Sequence, residues 1–295
     1  MEISAANVKE LRELTGLGMM LCKKALMESN GDMSVAIENL RKQGQAAVAK
    51  RAGRIAKQGI VTIVTDPTTA IVYEINAETD FVAKNSDFIA YVNSIGKLLI
   101  ANKPVDVAAV NKLSATGWNG LTAADKITEL ISKIGENMSF RRFAIQSIAS
   151  AQEKLFTYIH GEGRIGVIVK LSSDKADVLN TTVATDLGKD IAMQIAAANP
   201  IALDRDAMNK SMGTLIEKEK EIYLTQAQTS GKPEKVWDKI VEGKLDKFYK
   251  ESTLTEQAFI KDPEKSVSDR INEAGKEASA QFSVVSFVRY ELGTE

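Results

Sequence analysis

The sequence is poor in the residues that cross-link chains, hold metals or carry out covalent chemistry. Its one cysteine, Cys22, has no second thiol to pair with, so an internal disulfide framework is excluded. Its one histidine, His160, leaves too few ligands for a Cys/His zinc cluster. Cysteine usage of this kind fits a reducing cytoplasm. Neither sign of charge is in excess: 38 Lys and Arg against 39 Asp and Glu leave no global field to draw the chain onto nucleic acid or an anionic membrane. No apolar run is long enough to span a bilayer. The start, Met1-Glu2-Ile3-Ser4 with Lys9, Glu10 and Arg12 close behind, lacks the basic-then-apolar pattern of a secretory leader. A soluble, unprocessed chain is expected.

Nucleotide and catalytic signatures are missing as well. Gly-x-Gly occurs at Gly16 to Gly18 and at Gly161 to Gly163, but neither continues into a dinucleotide fingerprint or a phosphate loop, so turn formation is the better reading. His160 falls in an expected hairpin turn with no nucleophile motif nearby, and reads as a turn or contact residue. Glu74, Glu78 and Asp87 are too ordinary to nominate as an acid/base pair. No enzyme constellation and no cofactor are expected.

What is present is an α+β pattern over 295 residues, long enough for two or more domains. Residues 1–54 form the first: three short helices between 4 and about 43, with Ser4 as a cap and breaks at Gly16-Leu17-Gly18 and Asn30-Gly31-Asp32. Val8, Leu11, Leu14, Leu21, Ala25, Leu26, Val35, Ile37 and Leu40 are its expected core. From Arg41 to Gly59 six basic residues occur with no acid and no aromatic, which reads as a solvated linker or exposed basic helix rather than a nucleic-acid patch.

Residues 55–150 and 151–203 with 251–295 read as two similar halves of one core. Ile60 to Val64, a turn at Asp66 to Thr68, and Ala70 to Asn76 parallel Leu155 to Ile159, a turn at His160 to Gly163, and Ile165 to Leu171. Each hairpin precedes a helix, and further strands are expected at Phe140 to Ile148 and Ser283 to Leu292. Antiparallel sheets and an internal duplication account for this pattern. Residues 204–250 form an inserted helical hairpin, with Leu215, Ile222, Val236, Ile240 and Phe248 between its arms. The hairpin is a candidate surface for self-association or another partner. The segment from Ser114 to Ala123, with Trp118, stays unassigned.

The specific stretch is "ETDFVAKN", residues 78 to 85. It joins a strand to a helix whose buried face is Phe88, Tyr91 or Val92, Ile95 and Leu99, with Asn85 or Ser86 as the cap. Phe81 there either staples the chain to the next helix or presents a ring to a partner. Leu17, Met19 and Met20 pose a similar choice between miniature core and adaptable contact surface.

"LRELTGLGMMLCKKAL", "ETDFVAKN", "KIGENMSFRR" and "YIHGEGRIGVIV" together, in this order and spacing, resemble the bacterial translation elongation factor Ts family over essentially the whole chain. The resemblance implies a guanine-nucleotide exchange factor for elongation factor Tu, acting without covalent chemistry in the cytoplasm. It implies that Thr79, Asp80, Phe81 and Val82 intrude beside the partner's magnesium and nucleotide. It further implies that Leu17, Met19 and Met20 dock on the partner's G domain, and that Ile134, Gly135 and His160 lie in or near the core's contact surface. Direct nucleic-acid binding and membrane attachment are not expected. Members of the family often continue past the final strand into a short C-terminal helical module, whereas this sequence closes on Glu291-Leu292-Gly293-Thr294-Glu295, so a contact to the partner's other domains is expected to be missing. The alternative reading is a binding module: the three-helix region is similar to ubiquitin-associated folds and, with the basic stretch, could tether to a peptide or ribosomal RNA.

Overall fold

A computed structural model describes residues 3–294. Met1, Glu2 and Glu295, on which the expectations about the two chain ends partly fell, lie outside the described residues.

Three helices open the chain: α1 (Ala5–Thr15), α2 (Met19–Glu28) and α3 (Met33–Arg51). Ser4 caps α1 by accepting from the Asn7 N–H, and Asp32 caps α3 by accepting from Val35. Gly16, at φ 68°, ends α1 in the left-handed conformation that a side chain resists. Their core is Val8, Leu11, Leu17, Cys22, Ala25, Leu26, Ala36 and Leu40. Three expected core residues are not in it: Leu14, Leu21 and Val35 are exposed, because only one face of each short helix is covered. The basic stretch is helical as far as Arg51: it contains no proline, and its single glycine, Gly44, costs the helix only about 1 kcal/mol.

The rest is an α+β core with antiparallel sheets. The first sheet, ordered β1-β2-β3, contains β1 (Gln58–Thr65), β2 (Thr69–Ala77) and β3 (Met138–Ser147). Between β2 and β3 run α4 (Asp80–Ala83), α5 (Ser86–Asn102), α6 (Val107–Asn111) and α7 (Ala123–Ile134). The second sheet is built from β4 (Glu153–His160), β5 (Ile165–Ser173) and β8 (Phe282–Glu291), in that order. Helix α8 (Thr182–Ala198) follows β5. A small hairpin, β6 (Ala258–Phe259) and β7 (Asp262–Ser266), and then α12 (Val267–Ala278), precede β8.

Alternation along the strands stacks these pieces. Ile71, Tyr73, Ile75 and Ala77 of β2 pack against α5 and α7, while Ala70 and Val72 face Ile168 of β5. Val167, Val169 and Leu171 of β5 turn instead to α8 and α12. The layers therefore run helices, sheet, sheet, helices, with both central strands buried on two faces. Trp118 is buried and stacks on Tyr91 at 5.8 Å between ring centroids, so the unassigned segment closes the first helical layer.

The two halves repeat in detail. A β-bulge interrupts β2–β3 at Glu74/Ile75 and β5–β8 at Lys170/Leu171. Helices α5 and α8 both end on a left-handed non-glycine residue, Lys103 at φ 44° and Asn199 at φ 46°. Helices α7 and α12, which the sequence reading did not anticipate, both begin with a capping box, Thr122/Asp125 and Ser266/Asp269.

The inserted segment holds α9 (Arg205–Ser211), α10 (Gly213–Thr229) and α11 (Trp237–Ser252). Its seam is Met208, Ile216 and Leu245, with Tyr223, Val241 and Phe248 beside them. Of the five expected seam residues only Phe248 takes part. Leu215, Ile222 and Ile240 sit one position away from Ile216, Tyr223 and Val241, and one helical step turns a side chain by about 100°. Among the described residues no helix is long and apolar enough to cross a membrane.

Candidate partner-binding site

Strand β2 ends at Ala77, and the chain then makes one helical turn, α4, before α5 begins. Val82 is 4% exposed and packs with Phe88 and Tyr91 in the first core. Its neighbour Phe81, one helical step round, is 82% exposed. Asp80 beside it is exposed too. The staple is therefore Val82, and the phenyl ring projects into solvent. Burying such a ring against another surface is worth about 1.5–3 kcal/mol.

Two carboxylates crossing between segments hold the turn. Glu136, just past α7, accepts from the Thr79 N–H at 3.0 Å and from the Thr79 hydroxyl at 2.8 Å. In return, Glu78 accepts from the Asn137 N–H at 2.6 Å and pairs with Arg54 at 3.4 Å. Asn137 donates its side-chain amide to the Arg54 carbonyl. On the other side of α4, Asn85 accepts from the Asp87 and Phe88 N–H groups and starts α5.

Ile134 ends α7 half-buried, and Gly135 follows at φ 89° as its left-handed cap. This places both next to Glu136 and so beside Thr79. Arg51 donates to the Gly135 carbonyl at 3.0 Å, and Arg41 pairs with Asp125 at 3.2 Å, which ties α3 to α7. Burial works to raise the Asp125 carboxyl, yet the Thr122 N–H and hydroxyl together with Arg41 hold it below the usual range. Lys133 pairs with Asp87 at 2.7 Å, and its chain lies against Gly16, within 3.7 Å of where a Cβ there would sit. The turn at Gly16, which precedes Leu17 and leads into Met19 and Met20 at the start of α2, thus lies against the end of α7. Leu17 belongs to the small core at 9% exposure, whereas Met19 and Met20 stand out at 53% and 77%.

His160 is the last residue of β4 rather than a turn residue, exposed and 2.9 Å from the Tyr158 hydroxyl through Nδ1. The turn after it meets β1, where the Val61 N–H donates to the Gly163 carbonyl at 2.8 Å. Gln58, at the start of β1, pairs with Ala77. His160 is therefore linked to the Thr79 region through a strand, not by contact. Glu78, Glu136 and Asn137 went unnoticed in the sequence as a brace. The partners Thr79 and Glu136 are 57 positions apart, and no local pattern connects them.

An exposed apolar ring with an adjacent carboxylate suits insertion into another protein. Among the described residues no group of three or more His, Cys, Asp or Glu could hold a metal ion.

The family model described as "Elongation factor TS" matches residues 78–294. Curated relatives carry the same description. The elongation factor Ts of Syntrophotalea carbinolica is 43% identical over 293 residues, covering 99% of this chain and 94% of that one. That of Clostridium novyi is also 43% identical over 293 residues, covering 99% and 93%. That of Clostridium perfringens (strain SM101) is 46% identical over 294 residues, again covering 99% and 93%.

Proposed function

The chain belongs to the elongation factor Ts family, a family of translation elongation factors, and on that footing we propose that it is the guanine-nucleotide exchange factor for elongation factor Tu in the cytoplasm. The observation that carries this reading is the projecting Phe81 beside its buried neighbour Val82. Met19 and Met20 dock on the G domain with Leu17 shaping the turn beneath them, and Ile134, Gly135 and His160 complete the contact surface. Thr79, Asp80, Phe81 and Val82 form the part that enters the nucleotide site.

Exchange needs no covalent step. It needs a surface that fits the partner better when the nucleotide is gone, because equal affinity for both states shifts nothing. An acceleration of about 10⁴ corresponds to roughly 5.5 kcal/mol of preferential stabilisation. Burying the Phe81 ring supplies about 1.5–3 kcal/mol of it, and the methionine and core contacts supply the rest. Inserted beside the partner's magnesium, the ring and the Asp80 carboxylate disturb an ion that tolerates little departure from octahedral geometry. The phosphates then lose their counter-charge, and the nucleotide leaves. By linkage, GTP binding weakens the partner's grip on this chain and releases it.

The test is Phe81→Ala in a stopped-flow measurement of fluorescent GDP release from elongation factor Tu. Release slows by about ten- to a hundred-fold, which is the rate equivalent of the ring's burial energy, while the melting temperature is unchanged. Wild-type release rates in the variant remove the ring from the mechanism.

A further inference from the structure

Helix α4 has only four residues, far too few to stand on its own hydrogen bonds. Threonine at its N-cap, extended at φ −123°, would ordinarily accept from the first-turn N–H groups, but the Thr79 side chain makes no capping bond. Its hydroxyl donates outward to Glu136 Oε1 at 2.8 Å, and its N–H donates to the other oxygen of the same carboxylate at 3.0 Å. Both donors of one residue therefore end on one side chain, a two-point hold that fixes orientation as well as position. The Glu78 carboxylate, one residue earlier, accepts from Asn137, one residue after Glu136. Val82, buried at 4% exposure, anchors the turn as well, but a single apolar contact fixes its depth and not its rotation.

We infer that Glu136 is a positioning residue for exchange: through Thr79 it sets the rotation of α4 and so the direction in which Phe81 leaves the surface. Glu136 acts through Thr79 and need not touch the partner. The inference rests on the exchange reading for its use, but the brace belongs to the free protein. A ring displaced by about 1 Å loses much of what good placement contributes, on the order of a hundred-fold in rate. Glu136→Ala removes both acceptors, whereas Glu136→Gln keeps one amide oxygen and preserves one of the two bonds.

Two measurements test the assignment. In the free protein, amide hydrogen exchange at the end of α4, where the Lys84 and Asn85 N–H groups donate to the Phe81 and Val82 carbonyls, rises about tenfold in Glu136→Ala and less in Glu136→Gln, with β2 unchanged. In GDP release from elongation factor Tu at increasing factor concentration, the maximal rate falls about ten- to a hundred-fold in Glu136→Ala, with partial recovery in Glu136→Gln, while the half-saturating concentration stays within about threefold. Unchanged amide exchange in α4, or a loss confined to the half-saturating concentration, overturns the assignment. A wild-type chain that fails to accelerate release refutes the exchange reading instead, and the amide comparison still decides whether the brace exists.

Discussion

At the scale of single residues, a buried Val82 seats the turn on the core, and Phe81, about 100° round the same turn, is left on its outer side. Val82→Ala therefore acts on a ring it does not contain. Losing two methyl groups from the first core costs about 1–3 kcal/mol in denaturant unfolding, and GDP release slows as the turn loosens. Unfolding at the wild-type midpoint shows that Val82 is no anchor. The acid–aromatic pair was legible in the sequence as a candidate site, but its exposure was not. A staple and a projecting ring share one local pattern, and contacts from Glu136, distant in the chain, choose between them. The same holds for Leu17 and Met19: one turn places the first in the small core and the second in solvent.

At the scale of elements, periodicity located helices more reliably than it phased them. The arms of the inserted hairpin were legible, yet their seam is Ile216 rather than Leu215 and Tyr223 rather than Ile222. Ile216→Ala accordingly destabilises by about 2–4 kcal/mol, and Leu215→Ser by less than about 0.5 kcal/mol, in urea unfolding. The reverse ranking contradicts the observed seam. Helices α7 and α12 were missed although a capping box opens each, since Thr-x-x-Asp and Ser-x-x-Asp are short and common patterns that become informative only when a helix follows. Close approach of an element was also invisible. Helix α8 meets β4 at Gly188, where a Cβ would lie 2.2 Å from the Phe156 ring. Gly188→Ala overpacks this contact and costs about 1–3 kcal/mol, despite the better helix propensity of alanine.

For the whole molecule, the repeated hairpin-and-helix pattern disclosed two halves, but not how they are joined. Glu74 sits fully buried between the sheets, bonded to Arg142 at 2.7 Å, Arg141 at 3.0 Å and Asn76 at 2.9 Å, and accepting from the Gly293 N–H at 2.9 Å. Arg142 also donates to the Glu291 carbonyl and lies over the Tyr290 ring, so one carboxylate ties the first sheet to the end of the second. Burial works to raise its pKa, but the Gly293 N–H, Asn76 and Arg142 outweigh that and hold it below the ordinary glutamate value. A lowered folded value means stability that is present above the unfolded value of about 4.5 and lost as pH falls through the folded one. Glu74→Gln is thus destabilised by about 3 kcal/mol near neutral pH, the lower end for a broken buried pair, and the gap to wild type narrows below pH 4.5 in denaturant titrations. A gap constant across that range excludes the ionic tie. An exchange surface of this kind distinguishes two states of its partner, and the measurement that compares them is the dissociation constant of this chain with nucleotide-free and with GDP-bound elongation factor Tu, by titration calorimetry. Binding to the empty form is expected to be tighter by about 10³–10⁴, a preference that Phe81→Ala reduces. Equal affinity for the two forms would contradict it.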